Sequence, residues 1–118
     1  MAQEPWPTEI RLSPDRRILH VAFDDGGRYA LSAELLRVES PSAEVQGHAP
    51  SQKRLVRGKA QIEILSVEPV GNYAVRIVFD DGHSTGIFSW PYLHKLGREG
   101  ERIGGDYLKA LEAKGLSR

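Results

Sequence analysis

The chain has 118 residues, 40% of them hydrophobic and 27% charged, with 16 basic against 16 acidic side chains and no cysteine. That length fits one domain, which buries roughly two-thirds of the surface it exposes when unfolded. Zero net charge argues against bulk attraction to nucleic acid or an anionic membrane. The missing cysteines exclude disulfides, thiolate zinc sites, cysteine-held iron–sulfur clusters and cysteine nucleophiles.

Residues 1–7, with Pro5 and Pro7, read as a flexible lead-in whose Trp6 can dock on the domain. They hold no basic region followed by an apolar run, and no stretch approaches the ~18 apolar residues of a spanning helix. The expected compartment is therefore the cytoplasm. Thr8-Glu-Ile-Arg-Leu12 alternates as a half-buried strand, and Ser13-Pro14-Asp15 carries turn chemistry. Arg17 to Phe23 reads as a second strand, with Leu19, Val21 and Phe23 on one face. Asp24-Asp25-Gly26-Gly27 predicts a tight hairpin, Arg28 to Leu31 a third strand, and Ser32 the cap of a short helix through Leu36. Residues 40–60, rich in Ser, Pro and Gly, read as a long loop, which in a small domain is functional or mobile.

The same order then returns. Gln61 to Val67 reads as a strand, Glu68-Pro69-Val70-Gly71 as a turn, and Asn72 to Phe79 as a strand with Tyr73, Val75, Ile77 and Phe79 on one face. Asp80-Asp81-Gly82 is again a hairpin turn, His83 to Phe88 a strand, and Ser89 the cap of a short helix with Pro91 in its first turn. Phe23-Asp24-Asp25-Gly26 through Ser32 and Leu36 thus matches Phe79-Asp80-Asp81-Gly82 through Ser89 and Leu93, with one extra residue in the second copy. Glu9-Ile10 is expected to answer Glu63-Ile64. Gly104 to Gly115 predicts a final helix, with Asp106 as N-cap, an apolar stripe of Tyr107, Leu108 and Leu111, and Gly115 as the stop.

The predicted fold is α+β: mainly antiparallel strands in two repeated strand–hairpin–short-helix units, with a C-terminal helix covering the sheet. The organisation reads as a lead-in over 1–7, a domain over 8–97 containing the 40–60 loop, and a linker and helix over 98–118.

Candidate chemistry is sparse. His20, His48, His83 and His94 share no metal-ligand spacing. Asp24-Asp25 and Asp80-Asp81 could hold a hard cation, but aspartate before glycine in a hairpin is explained by turn chemistry alone. Lys53, Arg54, Arg57 and Lys59 form a basic cluster that suits a phosphate or an acidic partner surface, or simply a solvated loop. The run Phe88-Ser-Trp-Pro-Tyr92 offers Trp90 and Tyr92 as interface anchors or as core cover. No phosphate loop, nucleophile elbow or acid–base pair is visible, so no enzyme is expected.

Two stretches, Leu36 to His48 and Val67 to Leu93, resemble the small bacterial domain of unknown function related to the N-terminal domain of gamma-butyrobetaine hydroxylase. The likeness spans about residues 8–97, and its aspartate–glycine–histidine to serine–tryptophan run is distinctive. The resemblance implies a zinc site of three cysteines and one histidine. Here Ser40, Ser42 and Val45 stand at the cysteine positions, and only His83 is retained, so no metal or other cofactor is expected. The hydroxylase's iron-binding catalytic domain has no counterpart in this length, so its activity is not inherited. Relatives fused to Mrp-type iron–sulfur scaffold ATPases suggest work beside iron or iron–sulfur cargo.

The expected function is a non-catalytic adaptor that meets a protein partner through Trp90 and Tyr92 or through Lys53, Arg54 and Arg57, as a monomer or weak homo-oligomer. No nucleic-acid or membrane partner is expected. A metal- or small-anion-binding role using His83 is the alternative.

Overall fold

The computed structural model describes residues 5–46 and 55–118. Two three-stranded antiparallel sheets form, each ordered as in the chain. The first holds β1 (Pro7–Leu12), β2 (Ile18–Phe23) and β3 (Arg28–Ser32), followed by α1 (Ala33–Val38) and the single turn α2 (Ala43–Gln46). The second holds β4 (Ile64–Val70), β5 (Ala74–Phe79) and β6 (Ile87–Ser89), which runs directly into α3 (Trp90–Ala113). The α+β expectation and the two repeated units stand.

The alternating residues of the central strands bury one face of each sheet. Leu19, Val21, Phe23 and Leu31 from the first meet Ile64, Val75, Ile77, Phe79 and Phe88 from the second in one apolar cluster. Leu36 of α1 and Leu93 and Leu96 of α3 complete it. Removing these side chains from water is the main driving force for joining the two units.

The units agree bond for bond at their hairpins. The Phe23 amide donates to Gly27 O at 2.8 Å, and the Phe79 amide to His83 O at 2.9 Å. Gly26 and Gly82 both stand at φ +90°, where only glycine sits without strain. The Asp24 amide donates to Trp6 O while Trp6 N–H donates to Asp24 Oδ1; Asp80 and Glu63 repeat the same double bond. Ser32 and Ser89 each accept from a backbone N–H three residues on, capping α1 and α3. Both leading strands carry a register shift at the same place, between Pro7 and Glu9 and between Ile64 and Ser66. Trp6 therefore answers Glu63, three residues away from the expected match of Glu9 with Glu63.

Several elements differ from the sequence reading. β4 runs to Val70 and includes Pro69, which an edge strand tolerates because its absent N–H breaks no ladder bond. The turn moves to 71–73, so Tyr73 lies 55% exposed instead of on the core face. Residues 83–86 leave the ladder, and β6 begins only at Ile87. Part of the predicted 40–60 loop is ordered by α2, whose Val45 is buried.

The largest difference is α3. The linker expected from residue 98 up to the helix at Gly104 is itself helical, and Asp106, expected as N-cap, lies inside one 24-residue helix. Leu93, Leu96, Tyr107 and Leu111 are buried and Ile103 is half-buried on one stripe at helical spacing, and this burial overrides the poor helix propensity of four interior glycines. Leu108, expected in that stripe, faces outward. Gly115, at φ +67°, ends the helix as predicted.

Gly97 has a packing reason. A Cβ there would stand far inside van der Waals contact with the Tyr29 ring on β3, whereas at Gly104 and Gly105 it would meet nothing within 4 Å. Gly97→Ala is therefore expected to lower stability by about 1–3 kcal/mol. The double variant Gly104→Ala, Gly105→Ala should raise it by about 1–2 kcal/mol. Urea midpoints check both, and equal signs would refute the assignment.

Candidate functional site

The chain after α1 turns back beneath the second hairpin. Ser40 is fully buried there, and its Oγ lies 2.8 Å from His83 Nε2, with Ser42 Oγ at 3.4 Å from the same nitrogen. His83 is buried just after the Asp80-Asp81-Gly82 turn, where its amide donates to Asp81 Oδ1. Gly86 makes the approach feasible, because a Cβ there would collide with Ser40 Oγ. Three of the four positions that the resemblance pairs with zinc ligands are thus brought together, and Val45 is buried close by in sequence on α2.

The donor set does not fit a zinc ion. Neutral hydroxyls are poor substitutes for thiolates, valine offers no donor, and His83 Nε2 is already hydrogen-bonded. Among the described residues no three His, Cys, Asp or Glu side chains gather as a metal-binding group. The cluster instead ties the chain after α1 to the second hairpin.

Beside it lies a charged clasp. Asp81 Oδ2 accepts from Arg37 Nε at 2.8 Å and from Lys59 Nζ at 2.6 Å. Burial pushes the Asp81 carboxyl up, but Lys59, the His83 amide and Arg37 outweigh it and bring it down to about 2. The first unit repeats the clasp in the other direction. Asp25 Oδ2 lies 2.8 Å from His94 Nε2 on α3, and Phe23 and Tyr29 meet the buried imidazole edge to face. Leu36 matches Leu93 in the repeat, so Arg37 and His94 are equivalent positions, each held by the aspartate of the opposite unit. The second aspartate of each acidic pair is more than turn chemistry, although its side chain does accept the turn amide.

The remaining predicted site residues are dispersed. Lys53, Arg54 and His48 lie outside the described residues. Arg57 is exposed, while Lys59 is engaged by Asp81. Trp90 is half-buried, donates its indole N–H to Asn72 O at 2.9 Å and stacks at a tilt against Trp6, which does dock. Tyr92 is half-buried; its hydroxyl donates to Glu39 O, and burial, with Glu39 adding to it, pushes its pKa up to about 12. Phe88 is core. His20 lies half-buried on β2 opposite Arg11 and Ala30. Arg37 carried no signal of its own in the sequence; only its equivalence to His94 through the repeat could have drawn attention to it.

No described helix is long and apolar enough to cross a membrane. No curated protein matches the chain. Two solution structures determined by NMR are 41% and 44% identical, with TM-scores of 0.84 and 0.82. The first match covers 98% of this chain and 91% of that one; the second covers 100% and 90%. A crystal structure of a protein of unknown function of the DUF971 family, from Acidithiobacillus ferrooxidans ATCC 23270, is 42% identical with a TM-score of 0.65. It covers 77% of this chain and 91% of that one. The profile of the gamma-butyrobetaine hydroxylase-like N-terminal domain matches residues 10–94. With that match over most of its length, the chain belongs to the gamma-butyrobetaine hydroxylase-like N-terminal domain family.

Proposed function

We propose that the chain is a non-catalytic adaptor domain that holds an acidic partner protein against the basic stretch of the sequence that carries Lys53, Arg54, Arg57 and Lys59. The observation that carries this reading is the charge imbalance around Asp81. That carboxylate already accepts from Arg37, Lys59 and the His83 amide, and Arg57 makes no ion pair to the described residues. In a chain of zero net charge, local surplus cations favour a complementary acidic surface. The groups with strongly displaced pKa support the non-catalytic part, since Asp81 and Tyr92 are both spent in structural ties. The reading assumes a cytoplasmic setting. The family's company with iron–sulfur scaffold ATPases makes a protein handling iron or iron–sulfur cargo the first partner class to test.

The test is cross-linked capture by the wild type, by the variant Lys53→Glu, Arg54→Glu, Arg57→Glu, and by Trp90→Ala. The expected result is a salt-sensitive partner set lost only by the charge-reversed variant. A set retained by that variant and lost by Trp90→Ala would transfer the contact to the aromatic side. A set retained by both would sink the adaptor reading.

A further inference from the structure

Arg37, Arg57 and Lys59 line a single cavity of about 360 Å³, whose other walls are Val45, Leu55, Val56 and Leu116. Arg37 comes from α1, Arg57 and Lys59 from the segment before β4, and Leu116 from the chain just beyond α3. Two of these cations share one carboxylate, Asp81, whose Oδ2 accepts from Arg37 and Lys59 and whose Oδ1 accepts from the His83 amide, while Arg57 makes no ion pair to the described residues. The cavity thus keeps a surplus of two positive charges among the described residues. Arg37 Nη1 is buried without a hydrogen-bond partner among the described residues, a costly state for a charged donor. The rest of the lining is aliphatic.

We propose that this cavity binds a small organic dianion, a phosphate monoester on an apolar body. A phosphoryl group brings up to two negative charges and three strong acceptor oxygens, matching both the surplus charge and the fork geometry of two guanidiniums. A carboxylate would neutralise only half of that surplus. Val45, Leu55, Val56 and Leu116 then receive the apolar body, and the combination of apolar walls with a few convergent polar groups is typical of small-molecule sites. The site goes beyond the adaptor reading: it needs no protein partner, and its test uses only the purified chain and small probes.

Titration of the full chain by calorimetry and amide NMR with phenyl phosphate, inorganic phosphate and benzoate decides the matter. Phenyl phosphate should saturate one site at least about tenfold more tightly than either of the other probes, a factor worth about 1.4 kcal/mol. Amide shifts should centre on Val56, Arg57, Lys59 and Leu116. Arg57→Glu, at an exposed position, should weaken phenyl phosphate about tenfold or more, as should Leu116→Asp, which sets a carboxylate on the apolar wall. The site is refuted by phenyl phosphate that fails to saturate by about 10 mM, by benzoate binding equally well, or by unchanged affinity in a folded Arg57→Glu. None of those results touches the capture experiment above.

Discussion

Replacing Ser40, Ser42 and Val45 together by cysteine is expected to give a chain that retains one zinc ion and melts at a higher temperature than the wild type. Ser40 Oγ and Ser42 Oγ already lie 2.8 and 3.4 Å from His83 Nε2, so two thiolates would start close to the imidazole that completes a tetrahedral set. Val45, on the same short segment, supplies the third position. A structural zinc of this kind contributes apparent binding energies of about 10–16 kcal/mol in small peptides, so affinity well below micromolar is expected even after strain is subtracted. Native mass spectrometry and a chelator competition measure it. Adding His83→Ala should abolish the retained metal. A triple-cysteine chain that folds but holds no zinc would show that the serines converge on His83 for packing reasons alone.

The second large effect concerns Asp81. Its carboxyl sits at about 2 in the folded chain, against 3.8 as the ordinary value, because cations and an amide stabilise the charged form more than burial opposes it. A depressed carboxyl adds stability that is complete above the unfolded value and is lost as pH falls through the folded one. The clasp should therefore contribute about 2 kcal/mol at neutral pH, fading between about pH 4 and pH 2. Asp81→Asn removes that term and leaves Arg37 and Lys59 largely buried without a counter-charge, so a loss of about 2–4 kcal/mol is expected at pH 7. Urea unfolding of wild type and variant from pH 7 to pH 2 tests this. The gap should shrink on acidification; a constant gap would place the cost in packing. Asp25→Asn should cost less, because Asp25 is half open to water and is lowered mainly by the Gly27 amide, with His94 second.

What the sequence made legible was local. Phe-Asp-Asp-Gly twice, a capping serine after each third strand and alternating strands such as Arg17 to Phe23 carry their structure in short-range chemistry, and these elements formed as expected. The long helix was not legible, because the glycines at 97, 100, 104 and 105 weigh against it residue by residue, and only burial of Leu96, Ile103 and Tyr107 reverses that balance. The cluster of Ser40 and Ser42 with His83 joins residues more than 40 positions apart. Family resemblance pointed to it, whereas composition and spacing did not. Arg37 was missed for the same reason: its partner Asp81 lies in the other unit, and pairing across units leaves no mark on nearest neighbours.

The reciprocal clasps have a further consequence. The aspartate of each hairpin closes on the helix of the opposite unit, so residue i of one half meets residue j of the other while j′ meets i′. That is the self-complementary contact rule of a two-fold symmetric dimer, written here into a single polypeptide. Joining the copies releases them from having to stay identical. One position holds arginine where its twin holds histidine, and the stretch from the turn glycine to the capping serine is one residue longer in the second copy. In a homodimer of half-length chains every such difference would have to appear twice; in a single chain each appears once.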